Sequence, residues 1–478
     1  MFVHLHVHTP YSFLDGGSEI ETLARKAAEI GSPALAMTDH NNLCGVVKFV
    51  AACESFGIRP ILGAELSHMS HMSHPSHLTL LARNTDQYAT ISRLLSAAHM
   101  EGGRLTPCLS WQRLFEICDH SGGDSSATPL CLSGCRRGLL STLVRLHRYR
   151  EAHSLAIRLQ QLFGPESFFI ELQDDLTPDA ARVCRELAQL ADTIGAPVVA
   201  TNNVHHAERD DFIAHDILRC IATKTKQEET HPHRPLNAER YLKSDAEMSE
   251  LFRWRPDAIA NTIRIARECG PCLPRSEDIT PRFPVPEGLS APEYLRRLTY
   301  RGARARYGDL PPNIAQRIEH ELSVISEMGY ADYFLMVWDI VRWARQQRIR
   351  CTGRGSAADS CVAYCLFLTD VDVIARNLPF ARFLSPGRTP DIDMDFPSER
   401  RDEVFRHIVE KYGKGHVGMV CTFFTFWARS AVRDIGKALD LPADALDFLA
   451  KRLHHSIRAD RIEAAFDRYA ELKPHRNL

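Results

Sequence analysis

Nothing in these 478 residues reads as a membrane span, since no apolar run approaches the ~20 residues a bilayer-crossing helix needs. No secretory leader is expected either, since the opening MFVHLHVHT puts histidines where a leader carries its apolar stretch. Nor is there an excess of one charge, with 58 Lys and Arg against 60 Asp and Glu and a formal net charge of −2. That balance neither marks nor excludes a polyanionic partner, because a large protein can confine its basic surface to one cleft. The 14 cysteines show no framework spacing, and Cys361 and Cys365 lie inside an apolar stretch, so reduced thiols and a cytosolic setting are expected. The rest is ordinary globular composition, 44% apolar and 25% charged, long enough for about two to four domains. Histidine is plentiful, 23 in all, and many stand in the first 210 residues beside carboxylates, as a metal site requires.

Residues 1–210 alternate short apolar runs with helical stretches. Phe2–His6, Ala34–Thr38, Pro60–Gly63, Leu78–Ala82, Phe168–Leu172 and Pro197–Thr201 read as strands, and Ile20–Ile30 and Gly45–Phe56 as helices. Such alternation implies parallel β/α units, hence a barrel or a doubly wound sheet. The triplet repeat SHMSHMSHPSH at 67–77 reads as a solvated loop, the alternative being a stray metal-binding tract of His68, His71 and His74. Residues 225–235 read as a connector, and the five prolines from Pro271 to Pro286 mark the main domain boundary. A helical region from about Ala291 to Gln347 follows, and 428–478 reads as further helices.

Potential ligands sit at one strand end after another. His6 and His8 leave the first strand as HxH, a spacing that puts both imidazoles on one face of a strand. Asp15 follows in a Gly-flanked turn, Asp39 and His40 follow ALAMT, and Glu65 follows PILG. His77 precedes LTLLA, Cys135 lies in the turn LSGC, and Asn203 and His205 follow PVVAT. Functional groups of β/α barrels gather at strand ends, and imidazole, carboxylate and thiolate together suit Zn, Mn or Fe better than Mg. Scattered surface histidines explain any one of these positions but not the set.

The stretches HLHVHTPYSFLDG, TDHNNLCGV, GAEL and TNNVH resemble the PHP family of metal-dependent phosphoesterases, as found at the start of bacterial DNA polymerases. The resemblance implies metal ligands at His6, His8, Asp15, His40, Glu65, His77, Cys135 and His205, with Zn2+ or Mn2+ bound. At the ninth position this chain has Asn203 where the family usually has Asp. A neutral amide is the weaker ligand, so metal binding is expected without a complete trinuclear centre.

In the second half, CTGRGSAADSCVAYCLFLTD (351–370) runs a Gly-Arg-Gly-Ser turn into an apolar helix, with Ser356 as the expected N-cap. Free amides at such a helix start beside a guanidinium make a phosphate cradle, although a GRGS turn also fits an ordinary helix start. In PDIDMDF (390–396), Asp391, Asp393 and Asp395 alternate with Ile392, Met394 and Phe396, so a strand here carries three carboxylates on one face. Like charges so placed call for a cation, and a solvated acidic edge is the alternative.

Together, GYADYFLMVWDIVRWA, CTGRGSAADSCVAYCL and FLSPGRTPDIDMDF resemble the palm of the C-family bacterial DNA polymerases. The resemblance implies catalytic, Mg2+-binding carboxylates at Asp391 and Asp393 and a nucleotide-phosphate site at Gly353, Arg354, Gly355 and Ser356. CTGRGSAADS and WARSAVRDIGKALDLP look more like the error-prone, mutasome-associated branch, whereas the largely kept PHP ligands pull toward the replicative alpha subunit. Arg429, Arg433 and Lys437 follow one another at helical spacings of four, a candidate DNA-backbone stripe or a solvated helix face. The fold expected is α/β: a distorted β/α barrel of PHP type at 1–275, a mixed α/β palm at 287–427, and the start of a helical thumb at 428–478. Primer-template DNA, deoxynucleoside triphosphates, a sliding clamp and other polymerase or mutasome subunits are the implied partners, in the cytoplasm. Nothing after Asp395 resembles the family's third palm carboxylate, so this chain alone is expected not to polymerise. The alternatives are a PHP phosphoesterase or 3′–5′ exonuclease, and a non-catalytic fragment that binds DNA or another subunit.

Overall fold

The computed structural model describes residues 1–69, 76–102, 106–119, 127–273, 281–384, 391–458 and 461–464. His71 and His74, part of the proline-rich boundary and the residues leading into Asp391 lie outside the described residues. Two compact units form: Met1–Pro274 together with Phe424–Leu478, and Arg275–Phe423.

The first unit is built on one sheet, β1 (Ala34–His40), β2 (Arg59–His68), β3 (Ser76–Leu81), β4 (Leu130–Leu132), β5 (Phe168–Gln173) and β6 (Val198–Thr201), ordered as in the sequence. β1/β2, β4/β5 and β5/β6 are parallel, as the strand–helix alternation requires. β3 departs from it, running antiparallel to both β2 and β4. Only 69–75 separate β2 from β3, too few for the crossover that a parallel pair needs. The segment expected as a first strand forms isolated bridges instead. His4 bridges to Leu35 and Val7 to Val204, while Thr38 N–H donates to Val7 O at 2.8 Å and His8 N–H to Val204 O at 2.8 Å. It is thus sewn to β1 on one side and to the chain just after β6 on the other, which curls the sheet round on itself.

Period-2 alternation sorts the strand residues into two cores. Leu35, Met37, Leu62, Leu80, Ile170 and Val198 pack with Leu23, Ala24 and Phe49 of the helices Ile20–Glu29 and Val46–Ser55. Ala34, Ala36, Ile61, Leu81, Phe169 and Val199 face the other way and pack with Ile265 and Ala266 of the helix Pro256–Glu268. Further along that second face the pattern turns polar, at Thr38, Glu65, Thr79, Glu171 and Thr201, all buried. His68, expected in a solvated loop, is the buried last residue of β2, 4.4 Å from the Trp111 ring. The repeat begins inside the sheet, where strand pairing overrides its polar composition. The helices Ala428–Ala438 and Ala443–Arg452 are grouped with this unit, Gln227 N–H donating to Ala438 O at 2.8 Å.

The second unit resolves the expected helical region into three helices, Ala291–Tyr307, Pro312–Glu327 and Ala331–Gln346. The first opens on a Ser290–Glu293 capping box and the second has Pro312 at its first position, the usual signals of a helix start. A two-stranded ribbon of β7 (Thr352–Arg354) and β8 (Asp393–Asp395) accompanies them. The N-cap expected at Ser356 lies elsewhere. Gly355–Asp359 is a 3-10 turn, and Ser360 caps the short helix Cys361–Cys365, accepting from Ala363 N–H at 3.1 Å.

Fully buried Glu321 secures that helix start. Its carboxylate accepts from Ser360 Oγ (2.8 Å), Cys361 N–H (3.0 Å), Val362 N–H (3.0 Å) and Arg317 Nε (2.6 Å). Glu321→Ala removes the shared acceptor of all four donors and should lower the unfolding free energy by about 3 kcal/mol or more. The urea transition followed by circular dichroism measures it, and a loss below about 1 kcal/mol would show that this cap contributes little.

Candidate functional site

The polar end of the sheet's second face collects the first unit's titratable groups around two carboxylates. Glu65, on β2 beside His40 of β1 in the register, has Oε1 at 2.6 Å from His40 Nδ1. Its Oε2 lies 3.2 Å from His6 Nε2, 3.4 Å from His77 Nε2 and 3.8 Å from His8 Nε2. Asp15 comes from the turn after His8, with Oδ2 2.9 Å from His40 Nε2 and Oδ1 3.5 Å from His205 Nε2. Cys135 joins through Glu65 and His77, the three offering ligand atoms within 4.8 Å of one another. Gly134 makes this approach possible: its φ is +89°, and a Cβ there would stand 2.4 Å from His77 O. Asn203, at φ +43°, turns its carboxamide to 2.9 Å from His8 Nε2. The structure therefore brings all nine sequence-derived positions, His6, His8, Asp15, His40, Glu65, His77, Cys135, Asn203 and His205, into one connected cluster.

Burial and mutual charge set its protonation. Burial opposes charge on His6 and His40, yet Glu171 and Glu65 hold His6 up at about 10, and Glu65 with Asp15 does the same for His40. Burial, reinforced by the neighbouring imidazoles of His40 and His205, pushes His8 well below the usual imidazole range. Burial also takes His77 down to about 4 and His205 to about 3. Against burial, the surrounding imidazoles hold Asp15 and Glu65 well below the ordinary carboxylate range. Ionised carboxylates thus share their pocket with protons that a bound cation would replace. Buried imidazole nitrogen, carboxylate oxygen and a thiol fit Zn2+ or Mn2+.

Several participants were not evident from the sequence. Glu171 of β5, fully buried, takes His6 Nδ1 at 2.7 Å and the Thr201 hydroxyl at 2.5 Å, fixing the ring's orientation as supporting carboxylates do. A lone acid inside FFIELQ was its only signal. Asp39, next to His40, does not join the cluster. It accepts from Thr9 N–H (2.7 Å), Thr9 Oγ1 (2.6 Å) and Ser12 Oγ (2.6 Å), anchoring the loop that carries His8 and Asp15.

In the second unit the phosphate-cradle and acidic segments are brought together. β7 and β8 pair antiparallel with Gly353 opposite Met394 and Arg354 opposite Asp393. Arg354 Nε lies 3.0 Å from Asp395 Oδ1 and its Nη2 3.9 Å from Asp393 Oδ2. Gly355 has φ +66°, and a Cβ there would come 3.7 Å from Asp393 Oδ2. Ser356 follows in the 3-10 turn. Asp391 precedes β8, and Ile392 N–H donates to the Tyr333 hydroxyl at 3.1 Å, tying this end of the segment down. Burial and the neighbouring Asp391 and Asp393 charges raise the Tyr333 phenol. Here, in contrast to the first unit, the carboxylates are solvent-accessible and oxygen-only, the donor set of Mg2+.

The candidate basic stripe is partly engaged. On the helix Ala428–Ala438, Arg429 Nε donates to Leu453 O at 2.6 Å and Arg433 lies 3.4 Å from Asp447, while Lys437 is exposed. No helix among the described residues is long and apolar enough to cross a membrane.

A family model described as a PHP domain matches residues 4–175, and one described as the bacterial DNA polymerase III alpha NTPase domain matches residues 293–477. A protein named error-prone DNA polymerase from Symbiobacterium thermophilum is 47% identical over 99% of this chain and 44% of its own length. DNA polymerase III subunit alpha of Treponema pallidum is 39% identical over 94% of this chain and 39% of its own. The Escherichia coli protein of the same name is 35% identical over the same two shares, 94% and 39%. The chain thus spans about two fifths of the length of these curated relatives. Matched by a PHP model in its first unit and by a polymerase III alpha model across its second half, the chain belongs to the bacterial C-family DNA polymerases of the polymerase III alpha type.

Proposed function

We propose that this chain supplies the PHP domain and the first catalytic elements of a DNA-directed DNA polymerase that transfers nucleotides with two metal ions. The observation that carries the reading is the β7–β8 register, which sets Arg354 and Gly355 directly beside Asp393. On this reading residues 1–275 are the PHP domain, 287–427 the partial palm and 428–478 the start of the thumb. Arg354, whose partners are the exposed Asp393 and Asp395, can release them to a triphosphate. Gly353, Gly355 and Ser356 keep the backbone close to the phosphates. Asp391 and Asp393 hold Mg2+. When bound, that metal activates the primer hydroxyl and offsets the triphosphate charge. Arg429, Arg433 and Lys437 are the candidate contacts to the DNA backbone. Primer-template and deoxynucleoside triphosphates are the substrates, a sliding clamp and other polymerase or mutasome subunits the partners, and the cytoplasm the setting. The GRGS region and the name of the Symbiobacterium relative favour the error-prone type over the replicative one.

No residue of this chain after Asp395 resembles the third palm carboxylate, so nucleotide binding is the readout for the chain itself. Titrating a fluorescent deoxynucleoside triphosphate in Mg2+ should give saturable binding that Arg354→Ala weakens about tenfold or more. Asp393→Asn should remove the Mg2+ dependence of that binding. Wild-type affinity in both variants would sink the assignment.

A second reading is favoured by the buried histidine–carboxylate cluster: a PHP phosphoesterase, acting as a 3′–5′ exonuclease, within the same chain. Asn203 is the weak member, a neutral amide against His8. Asn203→Asp should tighten Zn2+ or Mn2+ binding about tenfold or more and bring on or raise metal-dependent release of 3′ nucleotides. Unchanged affinity and no nuclease gain, with wild-type metal already stoichiometric, would remove this second reading.

A further inference from the structure

One more imidazole reaches the cluster, from a helix and not from a strand end. His215 stands in the first turn of the helix Phe212–Thr223 and is 1% exposed. Its Nε2 lies 3.0 Å from Asp15 Oδ1, the same oxygen that His205 Nε2 approaches at 3.5 Å. The two rings stack with centroids 4.8 Å apart and planes 25° apart. Gly17 closes on the other side, where an added Cβ would stand 3.2 Å from His215 Cβ. The ring is held in place, yet its Nδ1 is buried with no hydrogen-bond partner among the described residues.

We infer that His215 is a further metal ligand of this centre, sharing an ion with Asp15 and His205 and standing in for the carboxylate that Asn203 lacks. The inference rests on the metal-binding reading of the cluster. Donors on a tetrahedral ion with bonds of about 2.0–2.1 Å lie roughly 3.3 Å apart, and the two measured separations, 3.0 and 3.5 Å, bracket that value. All three ligand atoms fall within 4.8 Å of one another. His205 is prepared for the task, because its Nδ1–H donates to Asn203 O at 2.7 Å and leaves Nε2 with a lone pair. His215 Nε2 faces Asp15 Oδ1 and its Nδ1 has no partner among the described residues, so no competing acceptor stops the proton from residing on Nδ1 and leaving the Nε2 lone pair to metal. Asp15 would supply Oδ1 to this ion, and its Oδ2 stays 2.9 Å from His40 Nε2. The amide at 203 has gone to His8, and the pair His205–His215 keeps the ion on the Asp15 side.

The competing role is a hydrogen bond from His215 that merely positions Asp15. His215→Gln separates the two, since a glutamine amide still donates to Asp15 but is a poor metal ligand. The 478-residue chain is loaded with Zn2+ or Co2+, dialysed, and assayed for metal per chain and for the visible absorption of bound Co2+. His215→Gln and His215→Ala should each lose an equivalent of metal and weaken the Co2+ bands. Adding Asn203→Asp to His215→Gln should restore much of what was lost, the coupling expected of two ligands to one ion. Wild-type metal content and spectrum in His215→Gln would overturn the inference and leave His215 as a positioning residue. Absence of metal uptake by the wild type would instead sink the metal reading itself. Circular dichroism checks folding, and if His215→Ala does not fold, His215→Gln decides.

Discussion

Two buried acids, Glu65 and Asp15, hold the first unit's site together. Each is surrounded by imidazoles, four around Glu65 and three around Asp15. An unpaired buried carboxylate would carry a desolvation penalty of several kcal/mol, and a cluster of uncharged imidazoles would have no reason to converge. Their mutual need explains why imidazoles and carboxylates from separate stretches of chain meet at one point. It also explains the split behaviour of the histidines: His6 and His40, each between two carboxylates, are held protonated, and burial holds His8, His77 and His205 neutral.

The second unit solves a different problem. Its acids lie on a short ribbon in reach of solvent, so water bears the charge and Arg354 is a loose companion. Rigidity comes from behind, through Glu321 at the start of the helix Cys361–Cys365 and Tyr333 under the acidic segment. On the proposed reading, a large, highly charged, exchanging ligand is better served by a firm floor and a wet rim than by a closed shell.

How much of this could be read from the residues depended on whether the signal was local. HxH, TDH, GAEL and the alternating PDIDMDF each carry side-chain type and backbone period in one short stretch, so both clusters were visible in advance. Reversal of β3 was not, because the apolar run of SHLTLL reads the same in either direction and only the shortness of 69–75 betrays it. Glu171 and His215 escaped for a related reason. One is a single acid in an apolar strand and the other a single histidine on a helix, and only tertiary proximity gives either a meaning. Ser356 and Ser360 compete for one cap, and the buried carboxylate of Glu321, some 40 residues upstream, decides between them.

The seam that joins His4 to Leu35 and Val7 to Val204 has a consequence for biosynthesis. His6 and His8 leave the ribosome well before the backbone that pairs with them on the far side, which is made nearly two hundred residues later. During that interval β1 and β2 can form and capture Glu65 with His40, while the site's other wall does not yet exist. Assembly of the centre is therefore a late event of high contact order, and an ion met early by the nascent chain would find only half a cage.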